Sequence, residues 1–326
     1  MKKIGDTLTN ILEIKNLEKK FTKTGILKKT NSVVVAVDNV SFSIQKGQVF
    51  VLAGESGSGK STIAKIILKT ISQDNGEIIF ENEKIDDSED KIKKIRMNCQ
   101  MIQQDPYDSI NPRMKIKDII SEPLRIHKFG TDDEITDRVI EVLREVKLDN
   151  SSDILEKFPH MLSGGQRQRI VLARALSIKP SLIIADEPVS MLDVSIRAEM
   201  LKIMEELQEK YQISFLYITH DLATARFFGQ KIGILYKGKI VEMGDIDRVL
   251  LNPKHPYTQA LIDAISEPKP ENLFLEKQIK IKNNSNIQHD EGCIFATRCP
   301  YFFEKCKNEP NLEKINEEHY CACFLK

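Results

Sequence analysis

The chain has 326 residues, with 48 basic and 48 acidic side chains, and 41% of its residues are hydrophobic. This length accommodates one large domain and a smaller one, and the composition is that of a globular protein with a sizeable core. Balanced charge excludes a general attraction to nucleic acid, and apolar runs far shorter than the roughly 18–20 residues of a spanning helix exclude an integral membrane protein. The N-terminal residues are too polar for a signal peptide, so we expect a cytosolic chain with reduced thiols.

The first 48 residues alternate between apolar and polar side chains, most clearly in SVVVAVDNVSFSI, and end at the turn signal Lys46-Gly47. Alternation with a period of two is typical of strands that bury one face. The segment therefore predicts an antiparallel sheet that flanks the core formed by the following residues.

A glycine-rich loop follows in the segment VFVLAGESGSGKSTIAKIIL. Val49–Ala53 has the composition of a buried strand, and Gly54, four residues and then Gly59-Lys60-Ser61 match the spacing of a phosphate-binding P-loop. Glycines let successive backbone N–H groups turn towards phosphate oxygens, and the N-terminus of the next helix adds a partial positive charge. The lysine suits the β- and γ-phosphates, and the serine hydroxyl suits Mg²⁺. The segment predicts a nucleotide site, with a plain glycine-rich turn as the alternative.

Residues 105–180 are predicted to be mostly helical. In DEITDRVIEVLREVKL, four apolar residues recur at helical spacing and mark one buried stripe: Ile135, Val139, Leu143 and Val146. Such a stripe indicates packing against neighbouring helices and does not indicate a cofactor site.

A second glycine-rich motif lies in FPHMLSGGQRQRIVLARAL, where five residues open a predicted helix: Leu162, Ser163, Gly164, Gly165 and Gln166. Glycines at a helix N-terminus again make an anion site. One ATP does not need two phosphate cradles from the same chain. We therefore expect this motif to close on the γ-phosphate held by another subunit, which predicts a dimer with ATP at its interface.

Two further predicted strands end in polar residues. SLIIADEP places Asp186 and Glu187 after four apolar residues, which is the Walker B arrangement of one carboxylate for Mg²⁺ and one that activates water. ISFLYITH ends at His220, which would reach the same edge of a parallel sheet. A lone histidine is more often structural, and only this position beside Asp221 favours a functional role.

The C-terminal third begins with KIGILYKGKIVEMGD, which predicts a hairpin that turns at Lys237-Gly238. Residues 266–290 contain three prolines and scattered charge, so they predict an extended connector to a small C-terminal module. This pattern divides the chain into a nucleotide-binding domain at residues 1–255 and a C-terminal extension at residues 256–326.

In chain order, the segments GESGSGKST, MIQQDPYDSINP, LSGGQRQRI, LIIADEP, SMLD and ITHD resemble the motifs of ABC transporter ATPase subunits. The resemblance implies an α/β P-loop NTPase fold. It implies a mainly parallel RecA-like core, an antiparallel β subdomain, a helical signature subdomain at about residues 105–180 and a small cysteine-rich C-terminal module. It also implies ATPase activity, with ATP and Mg²⁺ as cofactors.

This resemblance assigns roles to individual residues. Glu187 is expected to be the general base, His220 to hold the γ-phosphate and position the attacking water, and Gln104 to contact Mg²⁺ and sense the membrane subunits. Mg²⁺ is expected at Ser61, Gln104 and Asp186. The ATP-binding set comprises Phe21, Gly54, Ser56, Gly57, Ser58, Gly59, Lys60, Ser61 and Thr62. The residues expected to act on the partner's ATP are Leu162, Ser163, Gly164, Gly165, Gln166 and Asp193.

Two positions depart from the commoner pattern of this family. Phe21 occupies the place of an adenine-stacking aromatic that is Tyr in many relatives, and the alternative is a core Phe at a strand end. Met191 stands where Ala is commoner, but Asp193 is retained, so we expect activity to persist.

Three features narrow the resemblance to the dipeptide/oligopeptide importer family: QDPYDSINPR, HPYT at residues 255–258 and the cysteine-rich tail. The basic insertion TKTGILKKTNS is similar to the second of the two paired ATPases that such importers often use. The implied partners are a second ABC ATPase subunit (a paralogue or a second copy), two membrane permease subunits and, indirectly, an external solute-binding protein. The implied location is peripheral, at the cytoplasmic face of the cell membrane.

The leading function is that of an ATPase subunit that energises a membrane importer of peptides or related small solutes. The alternative function is a soluble ABC ATPase acting on nucleic acid or ribosomes. The single uninterrupted cassette and the scattered basic clusters argue against it, so no nucleic acid partner is expected. The solute is left open among a dipeptide, an oligopeptide, a sugar and a metal chelate.

Five of the six cysteines lie in the last 34 residues. Clustered thiols in a reducing compartment suit a metal better than disulfides, yet the paired spacing of zinc ribbons is missing. Singly delivered thiolates favour a [4Fe–4S] cluster, with Zn²⁺ or incidental thiols as alternatives. By resemblance to the family's tail, with His319 setting the frame, the expected ligands are Cys293, Cys299, Cys306 and Cys323, with Cys321 as the alternative fourth ligand. Cys99, far upstream, is predicted to be a packing residue.

Overall fold

The structure, a computed structural model, describes residues 9–23, 32–148, 151–264, 281 and 292–325. The first residues of the chain, most of the basic insertion and nearly all of the predicted connector lie outside the described residues. All six cysteines and every residue expected at the ATP site lie within them.

Twelve strands form two sheets in the described residues. The strands are β1 (Asn10–Lys23), β2 (Ser32–Gln45), β3 (Val49–Ala53), β4 (Asn75–Phe80), β5 (Glu83–Lys84), β6 (Cys99–Ile102), β7 (Leu182–Asp186), β8 (Ser214–Thr219), β9 (Lys231–Tyr236), β10 (Lys239–Asp245), β11 (Glu313–Asn316) and β12 (His319–Cys321). The smaller sheet is antiparallel, with the order β2-β1-β4-β5. The predicted antiparallel flank is therefore present, and β4 and β5 complete it from residues that follow the phosphate loop.

The larger sheet has the order β11-β12-β10-β9-β3-β8-β7-β6. Its centre is parallel, since β3 pairs with β8 and β9, and β7 pairs with β6 and β8, all in parallel. The antiparallel hairpin β9–β10 turns at Lys237 and Gly238, both of which have positive φ, as a tight hairpin of this twist requires. The expected mainly parallel core is confirmed.

Helices surround the larger sheet and fill the region between β6 and β7. They are α1 (Lys60–Ile67), α2 (Glu89–Asn98), α3 (Pro106–Ser109), α4 (Ile116–Ile126), α5 (Asp132–Glu145), α6 (Ser151–Leu155), α7 (Gly164–Leu176), α8 (Val194–Tyr211), α9 (Leu222–Phe228), α10 (Ile246–Leu251) and α11 (Pro256–Asp263), with short 3-10 helices at Pro159–Met161 and Glu304–Lys307. The region predicted to be helical thus contains α3 to α7. A capping box between Thr131 and Glu134 starts α5, and all four residues of its predicted apolar stripe are buried.

The core consists of two apolar clusters, one on each face of the larger sheet. Successive residues of β3 point to opposite faces, so Val51 joins the cluster that includes the helical region, while Leu52 joins the one shared with the antiparallel sheet. Cys99 is buried in the second cluster, and burial raises its pKa. Its predicted role in packing agrees with this position.

The C-terminal extension at residues 256–326 is called the C-terminal segment below, and its described strands pair with the core sheet. Strand β12 pairs with β10, and β11 pairs with β12. The fully buried carboxylate of Glu242 accepts hydrogen bonds from the backbone N–H groups of Lys254 and His255, and it lies 2.7 Å from Nε2 of His319. His319 therefore anchors β12 to β10, which is a structural role that its spacing in the sequence did not indicate.

Candidate nucleotide site and cysteine cavity

The glycine-rich loop joins β3 to α1 at the carboxyl edge of the parallel strands. Gly59 has a φ of 109°, and a Cβ at this position would lie 2.2 Å from the carbonyl oxygen of Ala36. At Gly54 a Cβ would lie 2.1 Å from the carbonyl oxygen of Leu235. Only glycine fits at these two positions, because the loop passes directly against the backbone of two neighbouring strands.

Lys60 reaches back across this loop. Its Nζ donates to the carbonyl oxygens of Gly54 and Glu55 at 2.7 and 2.9 Å, and it lies 3.4 Å from the Ser58 hydroxyl. Burial lowers its pKa, and the carboxylates of Glu187, Asp186 and Glu55 oppose that effect. The ammonium group is therefore held at the centre of the loop, with its charge supported by nearby acids.

The two predicted Walker B acids stand at the end of β7, next to the loop. Burial raises the pKa of Asp186, whereas a hydrogen bond with the Ser61 side chain lowers it. Glu187 follows with a positive φ of 49°, and its Oε1 lies 2.9 Å from Nδ1 of His220 at the end of β8. The structure thus brings together Lys60, Ser61, Asp186, Glu187 and His220 from the side chains predicted for phosphate, Mg²⁺ and water, and it shows no contact of Gln104 with them in the described residues.

Gln104 and Phe21 lie at two other edges of the site. Gln104 is exposed two residues beyond β6, the strand that neighbours β7. Phe21 pairs with Val34, close to the Ala36 carbonyl that touches the phosphate loop, and its ring is 39% exposed. This exposure is inconsistent with the alternative of a core Phe.

The LSGGQ motif starts α7 in a region open to solvent. The Ser163 hydroxyl accepts from the Gln166 N–H, and the Gln166 side chain accepts from the Ser163 N–H. A Cβ on Gly164 would meet no atom within 4 Å, whereas one on Gly165 would lie 2.6 Å from Ile196. That contact joins the motif to the start of α8, where Asp193 is exposed and Val194 is 80% exposed. The exposed Ser163 and Gly164 and the exposed Asp193 loop therefore lie on adjoining parts of the surface, while Leu162 is buried beneath them.

The C-terminal cysteines converge on one small cavity. Its volume is about 10 Å³, which is at the lower limit for a single water molecule. The cysteines that line it are Cys293, Cys299, Cys306 and Cys323, and all four are buried. Burial raises the pKa of Cys293 to about 11 and also raises the pKa of Cys299 and of Cys323. Cys321 is fully buried in β12 and does not line this cavity.

The expected metal at these cysteines is not supported. Among the residues that the structure describes, no group of three His, Cys, Asp or Glu side chains is placed to hold a metal ion. The thiols surround too small a space for a cluster of four irons, so they fit such a group only if they move apart. The structure therefore does not support the expectation of an iron–sulfur or zinc site, and it shows only that four of the cysteines line one small cavity.

Comparison with known proteins assigns the chain to a protein family. The ABC transporter family pattern matches residues 37–190, and the pattern of the oligopeptide/dipeptide transporter C-terminal region matches residues 241–306. The oligopeptide transport ATP-binding protein AppF of Bacillus subtilis is 40% identical over 97% of this chain and 97% of its own length. The chain belongs to the ABC transporter ATP-binding family, in its oligopeptide/dipeptide branch. As a member of that family it binds ATP and acts as an ATPase.

Two solved structures agree with this ABC ATPase at the level of the fold. CbiO1 of Clostridium perfringens, part of the ABC transporter complex CbiONQ, has a TM-score of 0.64 at 25% identity and covers 74% of this chain and 91% of its own. The dimeric post-hydrolysis state of the ATP-binding cassette MJ0796, bound to ADP and phosphate, has a TM-score of 0.63 at 29% identity and covers 72% of this chain and 98% of its own. No helix in the described residues of this ABC ATPase is long and apolar enough to cross a membrane.

Sequence reasoning missed a set of contacts at the phosphate loop of this ABC ATPase. The backbone N–H of Glu55 donates to the Tyr257 hydroxyl at 2.9 Å, and the Glu55 carboxylate accepts two hydrogen bonds from Arg298, each 3.0 Å long. Tyr257 belongs to the HPYT motif, and Arg298 precedes Cys299 in the cysteine-rich tail. Both segments are family features, but no local pattern indicates that they meet the same loop residue.

Proposed function

We propose that this chain is the ATP-hydrolysing subunit of a membrane importer of peptides or related small solutes. The observation that carries the proposal is the meeting of Lys60, Asp186 and Glu187 at one edge of the sheet, beside the glycine-rich loop. This group supplies a cation for the phosphates, a carboxylate for Mg²⁺ and a second carboxylate for water. The membrane partner follows from family membership and from the name of the oligopeptide transport relative.

Nucleotide binding is assigned to the loop residues and to the aromatic at its edge. The ATP set is Phe21, Gly54, Ser56, Gly57, Ser58, Gly59, Lys60, Ser61 and Thr62. Lys60 would exchange its two loop carbonyls for phosphate oxygens, and Mg²⁺ would bind at Ser61, Asp186 and Gln104. The Ser61 hydroxyl lies close enough to the Asp186 carboxylate to lower its pKa, and this proximity supports the pairing.

Hydrolysis is assigned to Glu187 and His220. Their side chains are in contact, so His220 can orient the carboxylate that takes a proton from the attacking water. The Glu187 side chain is 14% exposed and that of His220 is 57% exposed, which supports a pair at the mouth of the site.

A second ATPase subunit, either another copy or a paralogue, completes the site. The motif at Leu162, Ser163, Gly164, Gly165 and Gln166, of which Ser163 and Gly164 are exposed, would close on the partner's ATP together with the exposed Asp193. Open space above Gly164 and the exposed apolar Met191 and Val194 support a face that is covered by a partner. Closure would be transmitted near Gln104 to two permease subunits at the cytoplasmic face of the membrane, which would receive solute from an external binding protein.

Two measurements on the full chain test this function. Mg²⁺-dependent phosphate release, lost in Lys60→Ala, is the expected activity. A tagged chain expressed in its own cell should bring down two membrane permease subunits. Recovery of ribosomes or DNA in place of permeases would overturn the importer assignment and favour the soluble alternative.

We further propose that Cys293, Cys299, Cys306 and Cys323 bind a [4Fe–4S] cluster, with Zn²⁺ as the competing metal. The proposal rests on their convergence on one small cavity. Binding would require the thiols to move apart and lose their protons. When bound, the cluster would hold together the segments that deliver these cysteines.

Metal content decides between these two metals. The chain purified without oxygen should contain about four irons and four acid-labile sulfides, the composition of a cluster held by four cysteines. One zinc per chain would replace the cluster with a structural zinc site, and the absence of metal would overturn both.

A further inference from the structure

Glu55 is an acid in the loop that is assigned to a highly charged anion. Its carboxylate is close enough to Lys60 to support the charge of that ammonium group. An unpaired carboxylate here would repel the phosphates of ATP, because like charges at short range oppose binding even when they are partly screened. The loop therefore needs a cation that offsets Glu55 without occupying the phosphate site.

Arg298 supplies that cation from the C-terminal segment. Its two terminal nitrogens each donate to one oxygen of the Glu55 carboxylate at 3.0 Å, which is the bidentate geometry of strong arginine–carboxylate pairs. The pair raises the pKa of Arg298, so the arginine remains charged. Both side chains are partly exposed, at 31% for Arg298 and 44% for Glu55.

The arginine is held in place by its surroundings. Its backbone N–H donates to the Phe295 carbonyl at 3.0 Å, and its guanidinium carbon lies 5.7 Å from the Tyr236 ring centre and 5.8 Å from that of Phe295. The Tyr236 and Phe295 rings pack edge to face at 5.4 Å. The aromatic rings and the backbone hydrogen bond therefore hold the guanidinium in its orientation towards Glu55.

The main chain of Glu55 is held as firmly as its side chain. Its N–H donates to the Tyr257 hydroxyl, and its carbonyl oxygen accepts from Lys60. Tyr257 is almost fully buried and packs on Tyr236, with ring centres 4.5 Å apart. Three groups of Glu55 thus have partners, two of which come from the C-terminal segment.

We propose that Arg298 and Tyr257 form a positioning clamp on Glu55, through which the C-terminal segment sets the affinity of the phosphate loop for ATP. The proposal rests on the nucleotide site proposed above and adds a role to residues outside it. Neither clamp residue contacts the reacting atoms. The clamp neutralises the loop acid and fixes the backbone at the start of the loop.

A double-mutant cycle on the full chain tests the clamp. Titration calorimetry measures the dissociation constant of a non-hydrolysable ATP analogue with Mg²⁺. Arg298→Ala should weaken binding about threefold to fivefold, the size expected for loss of one partly screened charge interaction. In a Glu55→Gln background, the same change should alter affinity by less than about twofold, because no carboxylate remains to be neutralised.

Kinetics separate positioning from general damage. Arg298→Ala should raise KM for ATP while kcat stays within about twofold of wild type, since transition-state contacts are unchanged. Arg298→Lys keeps the charge and loses the bidentate geometry, so its affinity for ATP should lie between that of Arg298→Ala and that of wild type. If the alanine variant does not fold, Arg298→Lys is carried through the same cycle.

Arg226→Ala is the matched control, because Arg226 pairs with Asp247 at 2.9 Å on another surface. It should leave affinity for the analogue unchanged. An equal loss from Arg298→Ala in both backgrounds, or no loss in either, would overturn the clamp. Failure of the wild-type chain to bind the analogue would instead overturn the nucleotide site on which the clamp rests.

Discussion

Oε1 of Glu187 lies 2.9 Å from Nδ1 of His220. Glu187 follows β7 and His220 follows β8, and these strands are parallel neighbours. Two side chains that are 33 positions apart in the sequence therefore meet because parallel strands end at one edge of the sheet. The positive φ of Glu187 is uncommon for a residue with a side chain and is of the kind that concentrates at functional sites.

The first prediction concerns this pair. Glu187→Gln should reduce phosphate release by about 100-fold or more, since it removes a general base, while the dissociation constant for ATP changes little. ATP should then hold the variant as a dimer on size exclusion. Glu209→Gln, an exposed acid on α8, is the control. Rapid turnover by Glu187→Gln would show that another group takes the proton.

The second prediction uses the open space at Gly164. A Cβ there meets no atom within 4 Å, and the residue is helical, so Gly164→Ala should leave thermal stability of the isolated chain unchanged or slightly higher. The same methyl group should obstruct a partner's phosphate and lower ATP hydrolysis by about tenfold or more. Thermal unfolding and phosphate release are measured on the same preparation.

Normal ATPase activity in this alanine variant would contradict the proposal that the motif acts on a partner's ATP. Gly165→Ala is the contrasting variant, because its Cβ would lie 2.6 Å from Ile196. It should lower both stability and activity.

The third prediction identifies the fourth cysteine ligand. Cys323→Ser should lose bound iron and sulfide, because Cys323 lines the shared cavity. Cys321→Ala should retain them, since Cys321 lies in β12 away from that cavity. Iron analysis and the visible absorption spectrum provide the measurement. The reverse pattern would assign the fourth ligand to Cys321.

The fourth prediction concerns the buried carboxylate of Glu242. Glu242→Ala leaves two backbone N–H groups and His319 without their partner, and it should lower the free energy of unfolding by about 3 kcal/mol or more. Urea unfolding measures the loss. Glu317→Ala, an exposed acid in the turn before β12, should change stability by less than about 0.5 kcal/mol. Equal stability of the two variants would mean that the carboxylate does not anchor β12.

Much of the fold and of the nucleotide site could be predicted from the sequence, because the patterns that indicate them are local. The strand, loop and helix around Lys60, the end of a buried strand at Asp186 and the apolar stripe of α5 could all be predicted, because glycine spacing and helical or strand periodicity act over a few residues. The parallel direction of β3, β7 and β8 was also foreseeable, since buried strands alternating with helices favour it, but their order in the sheet was not. These patterns indicate nucleotide chemistry independently of any tertiary contact.

Only the tertiary structure determines which distant segments come into contact. Arg298 and Glu55 are separated by 243 positions, and His319 and Glu242 by 77, so no local period could pair them. The cysteine spacing indicated a shared site and the family's tail favoured Cys323, but only the fold shows that Cys323 lines the cavity, that Cys321 does not, and how little space separates the thiols. Burial, pairing and charge compensation depend on which surfaces the packed core brings together, and that is a property of the whole chain rather than of any short segment.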